Sequence, residues 1–469
     1  MCFHERLWLA RDARRSFTWR MTKPFQISRR SFLNRCAITA AATGLPLWFV
    51  ERELALAAEP VAKTLSPNDR PGVALVGCGG MGRGDAQNAS RFGNIVAVCD
   101  VDANHVDQAV KQFAKDGKAP TGYEDFRKAI AREDVHVIVQ ATPDHWHTLV
   151  NIAAAKAKKD VYGEKPLTLT IDEGKRLVKA VRGQGVVLQT GTQQRSDKKF
   201  RLACELVRNG RIGKLKQVHV YVPAGITGGP FQSTPVPQGF NWDFWLGQAP
   251  QAEYLKERCQ QTFRWWFDYS GGPVTDWGAH HNDIARWAIG EDGPVAIEAR
   301  ALTEVIPGGY TTPAQFEATL TWGNGVKQIV RTTPDDTPFG GVIKADGQRN
   351  GLKFEGTEGW IWVNRSDLNA SKDEIIEAPL PDNAIKLEQN TDHMGNFFDC
   401  VRTRKDPICP VETGHRSAVV GHLIVIAMRL GKKLQWDAKT EVFVGDNSKE
   451  ANAHLAREMR KPYDYSFVA

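Results

Sequence analysis

A chain of 469 residues is too long for one ordinary hydrophobic core, so two domains are expected, and 42% hydrophobic with 25% charged residues is the composition of a globular protein. The net charge of +7 sits almost wholly in residues 1–58, where ten Lys/Arg face four Asp/Glu; the other 51 basic and 50 acidic residues nearly cancel. A body this close to neutral lacks the basic surface that nucleic acid requires, and no nucleic-acid partner is expected.

The first element is a leader. Residues 28–33 read Ser-Arg-Arg-Ser-Phe-Leu, which resembles the twin-arginine export consensus. A moderately apolar run, Cys36 to Val50, follows, and Ala55-Leu56-Ala57 offers a small-x-small cleavage site. Residues 1–58 are therefore read as a leader that engages the twin-arginine export machinery and sends the body to the periplasm or an equivalent compartment. Translation from Met1 or from Met21 serves equally, because residues 1–20 add nothing the signal needs. The alternative, an amphipathic anchor or uncleaved membrane segment, fits poorly with so short a run of small residues. Because this route carries folded proteins, a nucleotide cofactor would be loaded before export and held without exchange.

Residues 73–76, Val-Ala-Leu-Val, suit a buried parallel strand. Gly77-Cys78-Gly79-Gly80-Met81-Gly82 then fits GxGxxG, and a helix from about Gly80 to Phe92 points its N-terminus at the site of a pyrophosphate. The motif alone is weak among 42 glycines. Its context strengthens it: a second apolar strand, Ile95 to Cys99, ends in Asp100, 18 residues past Gly82, where an acid accepts from ribose hydroxyls and favours NAD over NADP. Helical pattern over 103–116 and 123–132, strand 135–140, helix 147–156, strand 159–163, helix 170–184 and strand 186–190 continue the βαβ rhythm. The fold class is α/β, with a doubly wound parallel Rossmann sheet over residues 70–192.

Three further runs carry the chemistry: Thr142-Pro143-Asp144-His145-Trp146-His147, Gly163-Glu164-Lys165-Pro166-Leu167 and, about 110 residues later, Asp276-Trp277-Gly278-Ala279-His280. In this order and spacing they resemble the glucose–fructose oxidoreductase / inositol dehydrogenase / MocA family over roughly residues 70–435. The resemblance implies that Lys165 sits at the nicotinamide and the substrate hydroxyl, and that Asp276 and His280 serve proton transfer. It also implies cofactor contacts from the glycine loop, Met81, Asp100, Thr142, Pro143, His147, Glu164 and Lys165. The residue types suit the task. A neutral His takes a hydroxyl proton, an ammonium stabilises the alkoxide, and an Asp one turn away orients the His. Against this stand plainer roles: Asp276 as a helix N-cap, His280 as a core histidine and Lys165 as a solvated lysine.

Fourteen tryptophans are many for this length, and several crowd Trp242 to Trp245 and Arg264 to Gly272. Aromatic platforms suit sugar faces, although domain packing uses the same residues. Arg264, Trp265 and Tyr269 are substrate candidates on this ground, as are Gln193 and Arg195, which follow the last Rossmann strand. Residues 193–438 form the second domain, with strand-like runs at 216–222, 294–303, 314–322, 326–333, 351–356 and 359–364. An α+β domain with an open, mostly antiparallel sheet results, and the resemblance implies dimers or tetramers built on it. Helical pattern returns at 391–404 and 413–431, and residues 439–469 read as a polar arm or tail. Cys78, Cys99, Cys204, Cys259, Cys400 and Cys409 contain no CxxC pair and are read as reduced, with Cys400–Cys409 as the one pairing considered.

The leading function is exported hydride transfer between a sugar or cyclitol hydroxyl and tightly bound NAD. The alternative is a glycoside-cleaving enzyme that oxidises, eliminates and re-reduces within one turnover. A silent sensor of the same fold and a zinc hydrolase using His145, His147, His280 and His281 explain less of the chain, and no metal is expected.

Overall fold

The computed structural model describes residues 29–56, 70–332 and 350–468. They fall into two compact units divided at residue 60. The first holds two helices, Arg29–Thr43 and Leu47–Leu56, with Gly44 turning the chain between them at φ +65°. Ser28 of the twin-arginine run and Ala57 of the cleavage site lie outside the described residues. No described helix is long and apolar enough to cross a membrane.

The second unit opens with six strands: β1 Gly72–Val76, β2 Asn94–Cys99, β3 Thr121–Tyr123, β4 Val137–Gln140, β5 Asp160–Gly163 and β6 Leu188–Thr190. All pair in parallel, in the order β3-β2-β1-β4-β5-β6. β1 is buried throughout and its period of two divides the core. Val73 and Leu75 pack with Ala86, Ala89 and Ala109 on one face. Ala74 and Val76 pack with Phe126, Leu149 and Leu177 on the other. Each buried Val or Leu side chain contributes about 1.5–3 kcal/mol, so this strand anchors both layers. Strand order reverses between β1 and β4, and the crevice at their carboxyl ends is where such sheets bind ligands.

Local signals set the helix limits. Thr170 and Glu173 form a capping box for helix Ile171–Gln184, which stops at Gly185 with φ 65°. The stretch 123–132 is only partly helical. It begins as the end of edge strand β3, and the helix is Phe126–Ile130, because the Asp125 side chain accepts from the Arg127 N–H and fixes the start there.

Nine strands form the second sheet: β7 Leu215–Val222, β8 Pro294–Ala301, β9 Phe316–Trp322, β10 Lys327–Thr332, β11 Gly351–Gly356, β12 Trp360–Val363, β13 Leu368–Ala370, β14 Leu434–Asp437 and β15 Val442–Val444. The order is β13-β12-β11-β7-β10-β9-β8-β14-β15, antiparallel except for the β7/β10 pair. Helices Trp277–Ile289 and Val411–Leu430 pack on β7 and β8. The second of these also packs against helix Ile171–Gln184 of the Rossmann half, where a Cβ at Gly174 would lie 2.0 Å from the His415 ring.

The two halves interpenetrate further. Phe397 and Phe398, of helix His393–Thr403, enter the core on one face of the Rossmann sheet. Tyr463 and Val468, in the arm, enter the core on the other, where the ring centroids of Trp146 and Tyr463 are 5.8 Å apart. Cys400 and Cys409 are free thiols, as are Cys78, Cys99, Cys204 and Cys259.

Candidate active site

The carboxyl ends of β1, β2, β4 and β5 open into a cavity of ≈ 820 Å³. Its floor is the glycine loop. Gly77 adopts φ 92°, and a Cβ there would lie 2.5 Å from the Ala141 backbone. A Cβ on Gly82 would lie 1.9 Å from Gly77 O, whereas Gly79 and Gly80 face open space. These are the three demands of a pyrophosphate turn: a left-handed turn, free approach over the middle glycines and close helix packing. Helix Gly80–Ala89 starts here, and Met81, 55% exposed, lines the cavity.

Asp100 stands where the sequence put it, at the end of β2. Its carboxylate accepts from the Cys78 N–H at 2.7 Å and the Asp102 N–H at 2.9 Å, and His105 Nδ1 lies 3.4 Å away. The acid thus braces the glycine loop as well as facing the cavity. The donor set, the open glycines and the volume fit NAD, with Gly77–Gly82 at the pyrophosphate and Asp100 at the adenosine ribose.

Beyond β4, Gln140 Nε2 donates to Thr142 Oγ1 at 2.7 Å. The ring nitrogens of His147 lie 2.6 Å from Pro166 O and 2.8 Å from Thr142 O. His147 therefore ties the Thr142–Pro143 turn to the Lys165–Pro166 turn and positions both. Asp144 is buried beside them, and Ser270 Oγ donates to it at 2.5 Å.

Lys165 and Asp276 meet although 111 residues separate them. Lys165 Nζ is 2.7 Å from Asp276 Oδ1, with side chains 10% and 17% exposed. Arg264 Nε reaches the same oxygen at 3.3 Å. Burial would raise the Asp276 carboxyl, but Lys165 and Arg264 outweigh it and hold it below the ordinary carboxylate range. The N-cap role is not taken up, since Asp276 makes no side-chain capping bond. Nor does Asp276 bond to His280: both cations sit on its Oδ1, and His280 Nδ1 has no partner among the described residues. His280 is 6% exposed. Burial, then the nearby Lys165 ammonium, hold it well below the ordinary histidine range, so the ring is neutral.

The remaining candidates separate. Arg264 lines the cavity beside Asp276. Gln193 is exposed and Arg195 is core: its guanidinium makes a two-point ion pair with Asp283 at 2.7 and 2.8 Å and covers Trp287. Tyr269 is fully buried, edge-on to Trp245 at 4.8 Å, and Trp265 supports Gly225 and the Thr311–Thr312 backbone. None of these four lines the cavity; of the aromatic crowd Phe244 and Trp245 do, whereas Trp242, Trp265, Trp266 and Tyr269 pack away from it. His145 Nε2 lies 2.9 Å from Trp245 O and His281 Nε2 is 2.9 Å from Asn350 Oδ1. The four histidines considered for zinc thus have separate roles, and the described residues include no metal-binding group.

Sequence reasoning reached only part of the roof, through Phe244, Trp245 and Arg264. Phe240, Phe244, Trp245, Lys256 and Cys259–Arg264, from the second domain, close over the nucleotide side of the cavity. Backbone bonds Ala103 N–Gly239 O and Asn241 N–Val101 O, both 2.9 Å, stitch this segment to the end of β2. It has no motif; only its aromatic density singled it out.

A model of the oxidoreductase family described as having an NAD-binding Rossmann fold matches residues 72–192, and one for its C-terminal alpha/beta domain matches residues 226–465. The fold and cavity define an NAD-binding oxidoreductase. The chain belongs to the Gfo/Idh/MocA oxidoreductase family. It is similar to scyllo-inositol 2-dehydrogenase (NAD(+)) of Bacillus subtilis, 25% identical over 377 residues, which are 78% of this chain and 96% of that one. It is also similar to levoglucosan dehydrogenase of Pseudarthrobacter phenanthrenivorans, 26% identical over 304 residues, 61% of this chain and 70% of that one. It shares its fold with an aldose-aldose oxidoreductase from Caulobacter crescentus complexed with glycerol, at TM-score 0.58 and 20% identity, covering 78% of this chain and 99% of that one.

Glu164 offers a direct test of this site's electrostatics. Burial, opposed by Lys165, pushes its carboxyl up to about 7. The unfolded chain releases that proton near pH 4.3, so folding becomes less favourable as pH rises from about 4.3 through about 7. The thermal midpoint of Glu164→Gln should therefore gain on wild type between about pH 5 and about pH 8. A gap that does not change with pH contradicts this reading.

Proposed function

We propose that the protein oxidises a secondary hydroxyl of a sugar or cyclitol by hydride transfer to NAD held beneath the roof of the cavity. The observation that carries this is the Lys165–Asp276 pair, which lines the nucleotide cavity, with the neutral His280 one helical turn on from Asp276 and behind the lining. The inositol and levoglucosan dehydrogenases to which the chain is similar support the substrate class.

Bound NAD supplies the hydride acceptor. Lys165 directs its ammonium at the substrate oxygen and stabilises the alkoxide as it forms. Asp276, kept ionised by Lys165 and Arg264, fixes the ammonium in place. The neutral His280 ring accepts the hydroxyl proton, so the alcohol loses a proton to the protein and a hydride to the cofactor. His147 and Asp144 position the loops that carry these groups. The roof supports a cofactor that stays bound between turnovers.

The test is direct. The purified body, denatured, should release about one NAD(H) per chain, as one site per fold requires. Added aldoses, ketoses, uronic acids and inositols should include at least one that raises absorbance at the NADH band, and Lys165→Met should lower that rate by at least ~10³-fold, of the order of losing a buried charge at the reacting oxygen. An absence of redox change with every member of the panel rejects the proposal.

A second reading, NAD-assisted glycoside cleavage, is favoured by Asp144. Burial pushes its carboxyl up, and the hydride step makes no use of it as an acid. In this reading oxidation of the alcohol would acidify the C–H of the neighbouring carbon, and a base of the site would take that proton. The aglycone would leave with a proton from Asp144 to give an enone, water would add across the double bond, and the carbonyl would take back the hydride and a proton. Nitrophenol release from an aryl glycoside with no net NADH favours it; release only when NADH accumulates counts against it.

We further propose export through the twin-arginine route and assembly of the body as a dimer or tetramer on the open sheet. Replacing Arg29 and Arg30 by lysine should retain the protein in the cytoplasm, and unchanged export rejects the signal. Light scattering that gives a monomer mass rejects the assembly.

A further inference from the structure

One cation near the site has no use in the reaction just described. Arg365 follows β12 on a turn fixed by Asn364, whose Oδ1 accepts from the Ser366 and Asp367 N–H groups at 2.8 and 2.6 Å. Its guanidinium lies over the Trp277 ring, 4.6 Å from the centroid. Nε and Nη2 are buried and find no hydrogen-bond partner among the described residues. The group faces the first turn of helix Trp277–Ile289, where its charge acts on His280 and His281.

Among the described residues, the carboxylates whose charge reaches Arg365 are Asp197 and Asp276, and each already has a cation of its own. Asp276 holds Lys165 and Arg264 at 2.7 and 3.3 Å. Asp197 caps helix Lys198–Arg208 through the Lys199 N–H at 2.8 Å and faces Lys199 Nζ at 3.6 Å. One turn further along, His280 Nδ1 is also without a partner. A guanidinium presents a rigid fork of donors that matches a carboxylate at two points. Leaving such donors buried and unpaired is costly, and stacking on an indole alone satisfies none of them.

We infer that Arg365, stacked on Trp277, is an anion subsite beside Lys165, Asp276 and His280, and that the sugar the protein takes carries a carboxylate, as a hexuronic acid does. A planar carboxylate meets the fork of one guanidinium at two points, and glucose 6-phosphate tests the other anion that such a fork accepts. The reaction assigned to this sugar rests on the proposed hydride transfer; its binding does not.

Binding can be read without turnover, from the tryptophan fluorescence of the purified body with its own cofactor. The probes are D-glucuronate and D-galacturonate, the neutral hexoses D-glucose and D-galactose, and glucose 6-phosphate. At least one uronate should bind about 10- to 100-fold more tightly than its neutral hexose, the range of a charge-assisted bidentate contact. Arg365→Gln should collapse that ratio, and Arg365→Lys, which keeps the charge but loses the fork, should reduce it partly. Cofactor content and thermal midpoint report whether each variant is folded, and the wild-type ratio decides the matter even if one is not. Equal affinities for uronate and hexose, a ratio unmoved in Arg365→Gln, or tighter binding of the phosphate each overturns the subsite. A uronate that binds at Arg365 supports the subsite, and if neither it nor any other sugar of the panel reduces the cofactor, the hydride-transfer reading is rejected instead.

Discussion

The site depends on one contact, the 2.7 Å ion pair between Lys165 and Asp276. Lys165 leaves the carboxyl end of β5; Asp276 precedes a helix that packs on the second sheet. The pair therefore fixes the two halves of the body against each other at the point where chemistry is proposed. At 10% and 17% exposure it is no surface pair of about 0–1 kcal/mol. Removing one partner strands a charge where water cannot compensate it, a loss of about 3–5 kcal/mol.

The surroundings follow from this constraint. Arg264 offers Asp276 a second cation, so the carboxylate stays ionised despite its burial. Burial, reinforced by the Lys165 charge, keeps His280 neutral, which preserves a proton acceptor near an ammonium. His147 and the Ser270–Asp144 contact hold the two loops that frame the pair. The roof of Phe240, Phe244 and Cys259–Arg264 ends at Arg264 itself, so closing over the nucleotide and matching the ion pair are tasks of one segment.

The Rossmann half was legible because its signals are local. The apolar period of β1, the glycines that admit no Cβ and the acid ending β2 need no partner elsewhere in the chain. Lys165, Asp276 and His280 were reached through motifs, but motif spacing misassigned the partner of Asp276. Helical spacing placed it over His280, whereas the carboxylate turns to a lysine 111 residues earlier. Arg195 and Tyr269 looked like site residues because polar and aromatic groups crowd around motifs; the Asp283 ion pair and the stacked tryptophans that bury them are tertiary facts. The roof carried only the weak signal of aromatic density, and Arg365 none, since an arginine after a short strand becomes meaningful only through what it faces.

The central claim is that Lys165 and Asp276 act as one unit in hydride transfer. A double-mutant cycle on single-turnover cofactor reduction, with Lys165→Met, Asp276→Asn and the pair combined, measures this most directly. If the account holds, the double variant is no slower than Lys165→Met alone, because the second change removes a partner that already has nothing to hold. Losses that simply multiply would mean two independent contributions, and would contradict it.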